Sequence, residues 1–200
     1  MNTQASLPFG GGPIYVAVFW AAFFLWQGVE WLLKATRRSG SQEEQYDRGS
    51  FPLLSLAIGT AFTLDVAAAL LLPSAAIASA RTVFAVGIGC VVAGAALRWS
   101  AVLTLGRYFT VDVAAHAAQP VIGVGPYRLI RHPAYAGTLL TLIGFGLALG
   151  NWAGLLAMAI IPSAAFAYRI AVEEAALLST LGEPYARYMR RTWRLIPYLL

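Results

Sequence analysis

Long apolar runs separated by short polar segments are the main pattern of this sequence. Five runs approach the roughly 20 residues that a helix needs to cross a bilayer. The last two are separated only by Gly150 and Asn151, which predicts a tight helical hairpin. The pattern predicts an all-α, polytopic integral membrane protein with five transmembrane helices. The predicted spans cover residues 13–33, 51–72, 82–103, 135–149 and 152–170, the fourth being the shortest.

The segment after the fifth span keeps apolar residues at helical spacing, interrupted near residues 182–184. This predicts a helix, a turn and a second amphipathic helix that ends before Pro197 and lies along the membrane interface. We therefore divide the chain into an N-terminal scaffold of three spans, residues 1–104, and a C-terminal core, residues 105–200. The core comprises a connecting loop, the hairpin and the C-terminal helix.

Composition and charge agree with a membrane location. Hydrophobic residues make up 59% of the chain and charged residues only 12%, about half the share in a typical soluble domain. Arginines and the lysine follow spans one, three and five, whereas only Arg81 lies on the opposite side. The positive-inside rule then predicts an external N-terminus and a cytoplasmic C-terminus, in the inner membrane if the source is prokaryotic. No basic residue precedes the first run, so we interpret that run as a retained span rather than a signal peptide.

Two kinds of partner are not expected. Cys90 is the only cysteine, which excludes disulfides and cysteine-based metal sites. No segment combines a basic stripe with exposed aromatic residues in a soluble context, so nucleic-acid binding is not predicted. We expect neither a metal nor a nucleic acid, and membrane lipids as the surroundings.

The stretch of residues 125–137 is the first candidate for chemistry. Gly125-Pro126 predicts a turn, and Pro133 suits the first position of a helix. This places Arg131, His132 and a helix N-terminus, which favours a negative ligand group, at the membrane interface. Anchoring of side chains among lipid headgroups is the simpler explanation for Tyr127 and its neighbouring arginine.

Charged residues inside or near spans are the second candidate. Arg169 and Glu173 share a helical face where the fifth span leaves the bilayer. They form either a simple ion pair, about 0.3–0.5 kcal/mol if exposed, or part of a buried cavity. Asp65 lies in the middle of span two, and we expect it to pair with a buried polar group of another helix rather than to serve the site.

The C-terminal half resembles the isoprenylcysteine carboxyl methyltransferase family and the related phospholipid N-methyltransferases. The resemblance begins at Leu105 and runs, in order and with compatible spacing, nearly to the C-terminus. Its elements are Leu105-Gly106-Arg107, Gly125-Pro126-Tyr127-Arg128, Arg131-His132-Pro133-Ala134-Tyr135-Ala136-Gly137, Glu173-Glu174, Gly182-Glu183-Pro184-Tyr185, Tyr188 and Arg194-Leu195-Ile196-Pro197.

The resemblance implies a membrane methyltransferase that uses S-adenosylmethionine in a cytoplasm-facing pocket and takes a lipophilic acceptor from the bilayer. It implies that Arg169 is the catalytic, acceptor-binding residue, and we expect Arg131 to assist it. The family's cofactor strip falls on residues 119–122, where Gln119 replaces the family's histidine, and a polar position upstream falls on Asp112. The implied cofactor-binding residues are Gln119, Val121, Ile122, Tyr127, His132, Pro133, Ala134, Tyr135 and Glu173.

The leading hypothesis is carboxyl O-methylation of an isoprenylcysteine-like acceptor, because a carboxylate is already a nucleophile and no general base stands out. A phospholipid N-methyltransferase is an alternative that would need such a base. A sterol-type reductase using NADPH is another, although those chains are longer and have more spans. A non-enzymatic membrane protein of the same architecture is the last, but it would be expected to have lost His132, Arg169 and Glu173.

Overall fold

The computed structural model describes residues 12–36, 47–109 and 120–197, apart from the side chain of Ala80. All of the regular structure in these ranges is helical, which confirms the all-α prediction. Short 3₁₀ turns occupy Pro73–Ala75, Gly106–Tyr108 and Gly125–Arg128. The α-helices are α1 (Pro13–Thr36), α2 (Ser50–Leu71), α3 (Ala80–Leu105), α4 (Pro133–Leu149), α5 (Trp152–Leu181) and α6 (Glu183–Met189).

Helices α1, α2, α3 and α5 are long and apolar enough to cross a membrane, whereas α4 is apolar but has only 17 residues. Large apolar side chains face outward, among them Phe24, Leu25 and Trp31. Such exposure suits contact with lipid tails rather than with water. The chain is thus a multi-pass integral membrane protein with the predicted five apolar helices, the fourth of them shorter than a full span.

Helices α3 and α4 pack at very close range through glycines spaced seven residues apart. Gly94 of α3 lies against Gly137 of α4, and Gly87 lies against Gly144. A Cβ atom on Gly94 would come 2.5 Å from the carbonyl oxygen of Gly137. Small residues allow helices to approach in this way within a membrane. The close contact fixes the start of α4, and with it the 125–137 stretch, against α3.

The hairpin of α4 and α5 turns at Gly150 and Asn151, as predicted. Gly150 adopts a left-handed conformation with φ 68°, which glycine accepts without steric cost. The side-chain oxygen of Asn151 caps α5 by accepting from the backbone N–H of Ala153 at 3.0 Å. Its amide nitrogen donates to the carbonyl oxygens of Ala68 and Leu72 at 3.0 and 2.9 Å. One asparagine therefore caps α5 and ties the turn to the end of α2.

Asp65 is fully buried in α2, and its carboxylate oxygens have no hydrogen-bond partner among the described residues. The carboxylate packs against Gly154 of α5, where a Cβ atom would overlap it. The expected polar partner from another helix is therefore not found there. An unpartnered buried polar group costs stability, so Asp65 is a strained point of the α2–α5 interface.

Helix α1 is attached to the bundle by aromatic packing and by one ion pair. Phe23 packs on Phe62 of α2, with 4.6 Å between ring centroids, and on Phe145 of α4. Six residues before its end, Glu30 forms a two-pronged pair with Arg98 of α3, in which Nη2 donates to Oε2 at 2.6 Å. These contacts place one face of α1 beside the site.

The C-terminal part differs in detail from the prediction. Helix α5 continues beyond the fifth span to Leu181 and a turn follows at Gly182, as the interruption near residues 182–184 predicts, but the helix after the turn, α6, has only seven residues and ends at Met189. Beyond it, Trp193 pairs with Ile130 in a short parallel bridge. The C-terminal segment thus returns to the 125–137 stretch.

Candidate active site

A cavity of about 290 Å³ lies where α4 begins and where α5 extends beyond the bundle. Its walls come from both halves of the chain. The N-terminal half contributes one face each of α1 and α2, and the C-terminal half contributes residues 120–122, the start of α4, the end of α5 and α6. The site is therefore shared between the two predicted regions.

The hydroxyl group of Tyr135 links the two charged residues of α5. It donates to Oε2 of Glu173 at 2.6 Å and accepts from Nε of Arg169 at 3.0 Å. Tyr135 stands in the first turn of α4, so the bond joins α4 to α5 across the cavity. Glu173 keeps 27% of its side chain exposed, which leaves its carboxylate accessible to a ligand.

Arg169 is nearly completely buried, with 2% exposure. Its Nη1 donates to Oδ1 of Asp47 and to Oγ of Ser50, both at 2.9 Å. Burial alone would raise the pKa of Asp47, but hydrogen bonds from the backbone of Phe51 and from Ser50, with the charge of Arg169, lower that pKa below its usual value. Asp47 therefore stays ionised and holds the guanidinium in place.

His132 precedes α4 and stacks on Tyr135, with ring centroids 5.5 Å apart and planes 8° from parallel. Its Nε2 lies 3.3 Å from Oε1 of Glu174, and its Nδ1 lies 3.8 Å from Oε2 of Glu173. The imidazole is thus oriented by two successive carboxylates of α5.

Arg131 connects the start of α4 to the C-terminal segment. Its Nε donates to Oε1 of Glu174 at 2.7 Å, and its Nη1 donates to the carbonyl oxygens of Met189, at 3.1 Å, and Thr192. Arg194 donates to the other oxygen of Glu174 at 3.0 Å. This arrangement holds the C-terminal segment over the site.

Three tyrosines, Tyr127, Tyr185 and Tyr188, line the cavity outside the membrane-spanning segments. The hydroxyl of Tyr188 donates to the carbonyl oxygen of Tyr127 at 2.8 Å. Burial raises the pKa of Tyr188 to about 12. Burial, with the nearby charge of Glu173, also raises the pKa values of Tyr127 and Tyr185. All three phenols therefore remain protonated near neutral pH.

The structure brings most of the predicted site residues to this one cavity. Pro133 is the exception, since its ring is fully buried at the first position of α4 and is not part of the cavity wall. Gln119 and Asp112 lie outside the described residues. The predicted residues that line the cavity are Val121, Ile122, Tyr127, Arg131, His132, Ala134, Tyr135, Arg169 and Glu173.

Several residues of the site were not among the candidates. Asp47 and Glu174 bind the two key arginines, and Glu30 and Arg98 line the cavity as an ion pair. Glu30 had a signal in the sequence, since it is the only charged residue within the first apolar run, residues 13–33. Asp47 had none, because its partner lies 122 residues away along the chain.

Comparison with known proteins agrees with these motifs. Residues 85–179 match the model of the isoprenylcysteine carboxyl methyltransferase (ICMT) family. This part of the chain is similar to that family. The match covers all of α4, most of α3 and α5, and the 125–137 stretch, so the family region contains the charged end of the cavity.

Relatives from plants and yeast share the same region. Protein-S-isoprenylcysteine O-methyltransferase B of Arabidopsis thaliana is 30% identical over 115 residues, which is 56% of this chain and 58% of the relative. A probable protein-S-isoprenylcysteine O-methyltransferase of Oryza sativa subsp. japonica is 33% identical over 116 residues, or 57% of this chain and 61% of the relative. Protein-S-isoprenylcysteine O-methyltransferase of Schizosaccharomyces pombe is 32% identical over 114 residues, which is 56% of this chain and 48% of the relative. The chain thus spans about three fifths or less of these relatives.

The fold also resembles a solved family structure. The structure of the eukaryotic intramembrane Ras methyltransferase ICMT superposes with a TM-score of 0.61 and 26% identity, covering 74% of this chain and 53% of that one. The superposition extends beyond the family region, so the likeness includes part of the N-terminal half.

Proposed function

We propose that this protein is an S-adenosylmethionine-dependent methyltransferase that esterifies the carboxylate of an isoprenylcysteine-like acceptor. One observation carries the proposal. A single cavity is lined at one end by the family motif residues His132, Tyr135 and Glu173, and at the other by apolar residues of α1 and α2. A methyl donor and a lipophilic acceptor could therefore meet without leaving the membrane protein.

The residues at the charged end suit S-adenosylmethionine, which carries an amine, a carboxylate, a sulfonium and ribose hydroxyls. Glu173 is partly exposed and suits the amine or the ribose. The N-terminus of α4, which follows His132, favours the carboxylate. The aromatic face of Tyr127 and the apolar residues Val121 and Ile122 complete a surface for the remaining parts.

The acceptor would occupy the apolar arm of the cavity. Trp26 of α1, Leu54, Ile58 and Gly59 of α2, and Thr138 of α4 line this arm. It follows α2 for about 12 Å from Phe51 to Gly59, at 1.5 Å per residue. An isoprenyl chain fits such a surface, and entry would be from the bilayer.

When bound, S-adenosylmethionine would supply a methyl group to an oxygen of the acceptor carboxylate. The new C–O bond would form as the C–S bond breaks. The electron pair of the C–S bond would remain on sulfur, and no proton would be transferred. Arg169 would hold that carboxylate in line, because its guanidinium is itself fixed by Asp47, Ser50 and Tyr135. Rigid positioning of this kind lowers the entropic part of the barrier. Arg131 would act by keeping the C-terminal segment in place.

The orientation that we propose follows from the charges. The cavity opens at the end of the bundle that carries the arginines, so the positive-inside rule places it on the cytoplasmic side. The N-terminus would lie outside, and in a prokaryote the membrane would be the inner one.

Isothermal titration of the purified protein with S-adenosylmethionine and with NADPH tests the cofactor. We expect saturable binding of S-adenosylmethionine and none of NADPH. Absence of binding to S-adenosylmethionine at millimolar concentration would refute the proposal, and binding of NADPH alone would favour a reductase.

A further inference from the structure

Lys34 is the only lysine of the chain. It lies in the last turn of α1, is partly buried and lines the cavity. Its ammonium nitrogen is 5.4 Å from the centre of the Phe51 ring. The family region begins at residue 85, so Lys34 lies outside the part of the chain on which the site was predicted.

Lys34 and Arg169 approach the same aromatic ring. The guanidinium carbon of Arg169 lies 5.8 Å from the ring centre of Phe51, within the range of a cation–π contact. Two positive groups from α1 and α5 are thus gathered around one side chain of α2. Their mutual repulsion would be relieved by an anion bound between them.

The two cations differ in how their charge is compensated. Arg169 is bound to Asp47 at 2.9 Å, whereas Lys34 forms no ion pair within residues 12–36, 47–109 and 120–197. The two other arginines of the cavity wall are also paired, Arg98 with Glu30 and Arg131 with the buried carboxylate of α5. Among the described residues, Lys34 is therefore the cation of the wall that lacks a carboxylate.

The position of Lys34 also separates it from the proposed cofactor residues. It stands at the mouth of the apolar arm, and Glu30 and Gln27 follow it down α1, one and two turns deeper. An amphiphile whose tail lies in this arm would have its charged end beside Lys34 and Phe51. The proposed cofactor residues instead lie in residues 121–127, at the start of α4 and, as Glu173, near the end of α5.

We infer that Lys34 binds the carboxylate of the lipophilic acceptor together with Arg169, and that it selects anionic acceptors over neutral ones. The inference rests on the proposed function for the identity of the acceptor. Lys34 would contribute mainly to binding, because its flexible ammonium is a mobile point charge. Arg169, which is held by Asp47, Ser50 and Tyr135, would contribute mainly to positioning.

Steady-state kinetics with S-farnesyl-N-acetylcysteine as acceptor provide the first test. We expect Lys34→Met to raise the KM for the acceptor about tenfold, the effect of losing one charge-assisted contact, with kcat and the KM for S-adenosylmethionine within about twofold. Lys34→Arg should restore the acceptor KM to within about threefold. The matched control is Arg48→Met, since Arg48 is an exposed cation near α2 that does not line the cavity.

Chemical labelling provides a test that needs neither turnover nor a variant. Since Lys34 is the only lysine, acetylation by an amine-reactive ester can be followed at this one side chain by mass spectrometry of the wild-type protein. S-farnesyl-N-acetylcysteine should slow the labelling at least threefold. Its carboxamide, which has the same tail and no charge, should not, and S-adenosylmethionine alone should not.

The outcomes separate this inference from the proposed function. If the wild type transfers methyl groups but Lys34→Met has an unchanged acceptor KM, or raises only the KM for S-adenosylmethionine, the inference is wrong and the function stands. If no methyl transfer occurs, the proposed function fails, and protection by the carboxylate but not the carboxamide would still establish Lys34 as an anion site. If the carboxylate and the carboxamide protect Lys34 from acetylation equally, the inference that Lys34 binds the carboxylate is wrong.

Discussion

Nε of Arg131 donates to Oε1 of Glu174 at 2.7 Å, and the two side chains are only 9% and 6% exposed. This buried pair joins the start of α4 to the part of α5 that extends beyond the predicted span. Since Arg194 binds the other oxygen of Glu174, one carboxylate fixes both the motif residues and the C-terminal segment. The position of the C-terminal segment over the cavity therefore depends on Glu174.

Removing this carboxylate should loosen the C-terminal segment. Glu174→Ala leaves Arg131 buried without its charge partner, and breaking a buried pair in this way costs about 3–5 kcal/mol. We expect a lower melting temperature in detergent and faster proteolysis within residues 190–197. Glu183→Ala serves as the control, because its pairs are 61–65% exposed and such pairs contribute about 0–1 kcal/mol. Equal melting of both variants would contradict the structural role of Glu174.

The close packing of α3 on α4 predicts that alanine substitutions at Gly94 and Gly89, both in α3, change the free energy of unfolding by very different amounts. Gly94→Ala places a methyl group against the backbone of α4, and we expect a loss of about 1–3 kcal/mol through overpacking. Gly89→Ala has open space around the new methyl group and should cause no loss. Unfolding of both variants in mixed micelles measures the difference, and similar stabilities would show that the helices are not so close.

The strained contact of Asp65 with Gly154 predicts coupling between the two positions. Gly154→Ala alone should destabilise the protein, because the new methyl group overlaps the Asp65 carboxylate. Asp65→Ala should be close to neutral, since it removes a buried group without a hydrogen-bond partner. In the double variant the cost of Gly154→Ala should fall by about 1 kcal/mol or more, within the range of coupling between touching residues. Strictly additive effects in a double-mutant cycle would contradict the contact.

Glu173 is the carboxylate that we assign to the cofactor, and its loss should act on binding. Glu173→Ala should weaken the binding of S-adenosylmethionine by about tenfold or more, the loss of a hydrogen bond to a charged group. Glu183→Ala, at an exposed glutamate outside the cavity wall, should bind normally. Calorimetric titration measures both Kd values, and an unchanged Kd for Glu173→Ala would remove this residue from the cofactor site.

The apolar runs and the ordered motifs predicted much of this molecule. The five long helices were predicted from the lengths of the apolar runs, and the hairpin was predicted from the two-residue gap at Gly150 and Asn151. The convergence of His132, Tyr135 and Glu173 at one cavity was predicted through the family resemblance. Spacing alone did not decide whether Arg169 and Glu173 form a simple ion pair or part of a buried cavity. In the structure the hydroxyl of Tyr135, from another helix, lies between them and bonds to both.

What the sequence did not predict depends on contacts between distant residues. The continuation of α5 beyond the span was predicted, but the partners of its two carboxylates were not, since Glu173 and Glu174 are bound by residues of the 125–137 stretch. Asp47 was missed since its partner belongs to the opposite end of the chain. The glycine contact between α3 and α4 was likewise missed, because helix pairing is not visible in one-dimensional periodicity.

The most direct measurement is the transfer of a radiolabelled methyl group from S-adenosylmethionine to S-farnesyl-N-acetylcysteine and to total membrane lipids. We expect a labelled, base-labile ester on the prenylcysteine with the wild-type protein. We expect no ester with Arg169→Ala, or with the Asp47→Asn/Arg169→Ala double variant, in which the carboxylate of Asp47 is removed as well, while both still bind S-adenosylmethionine. Label confined to lipid amines, or full transfer by the Arg169 variants, would contradict it.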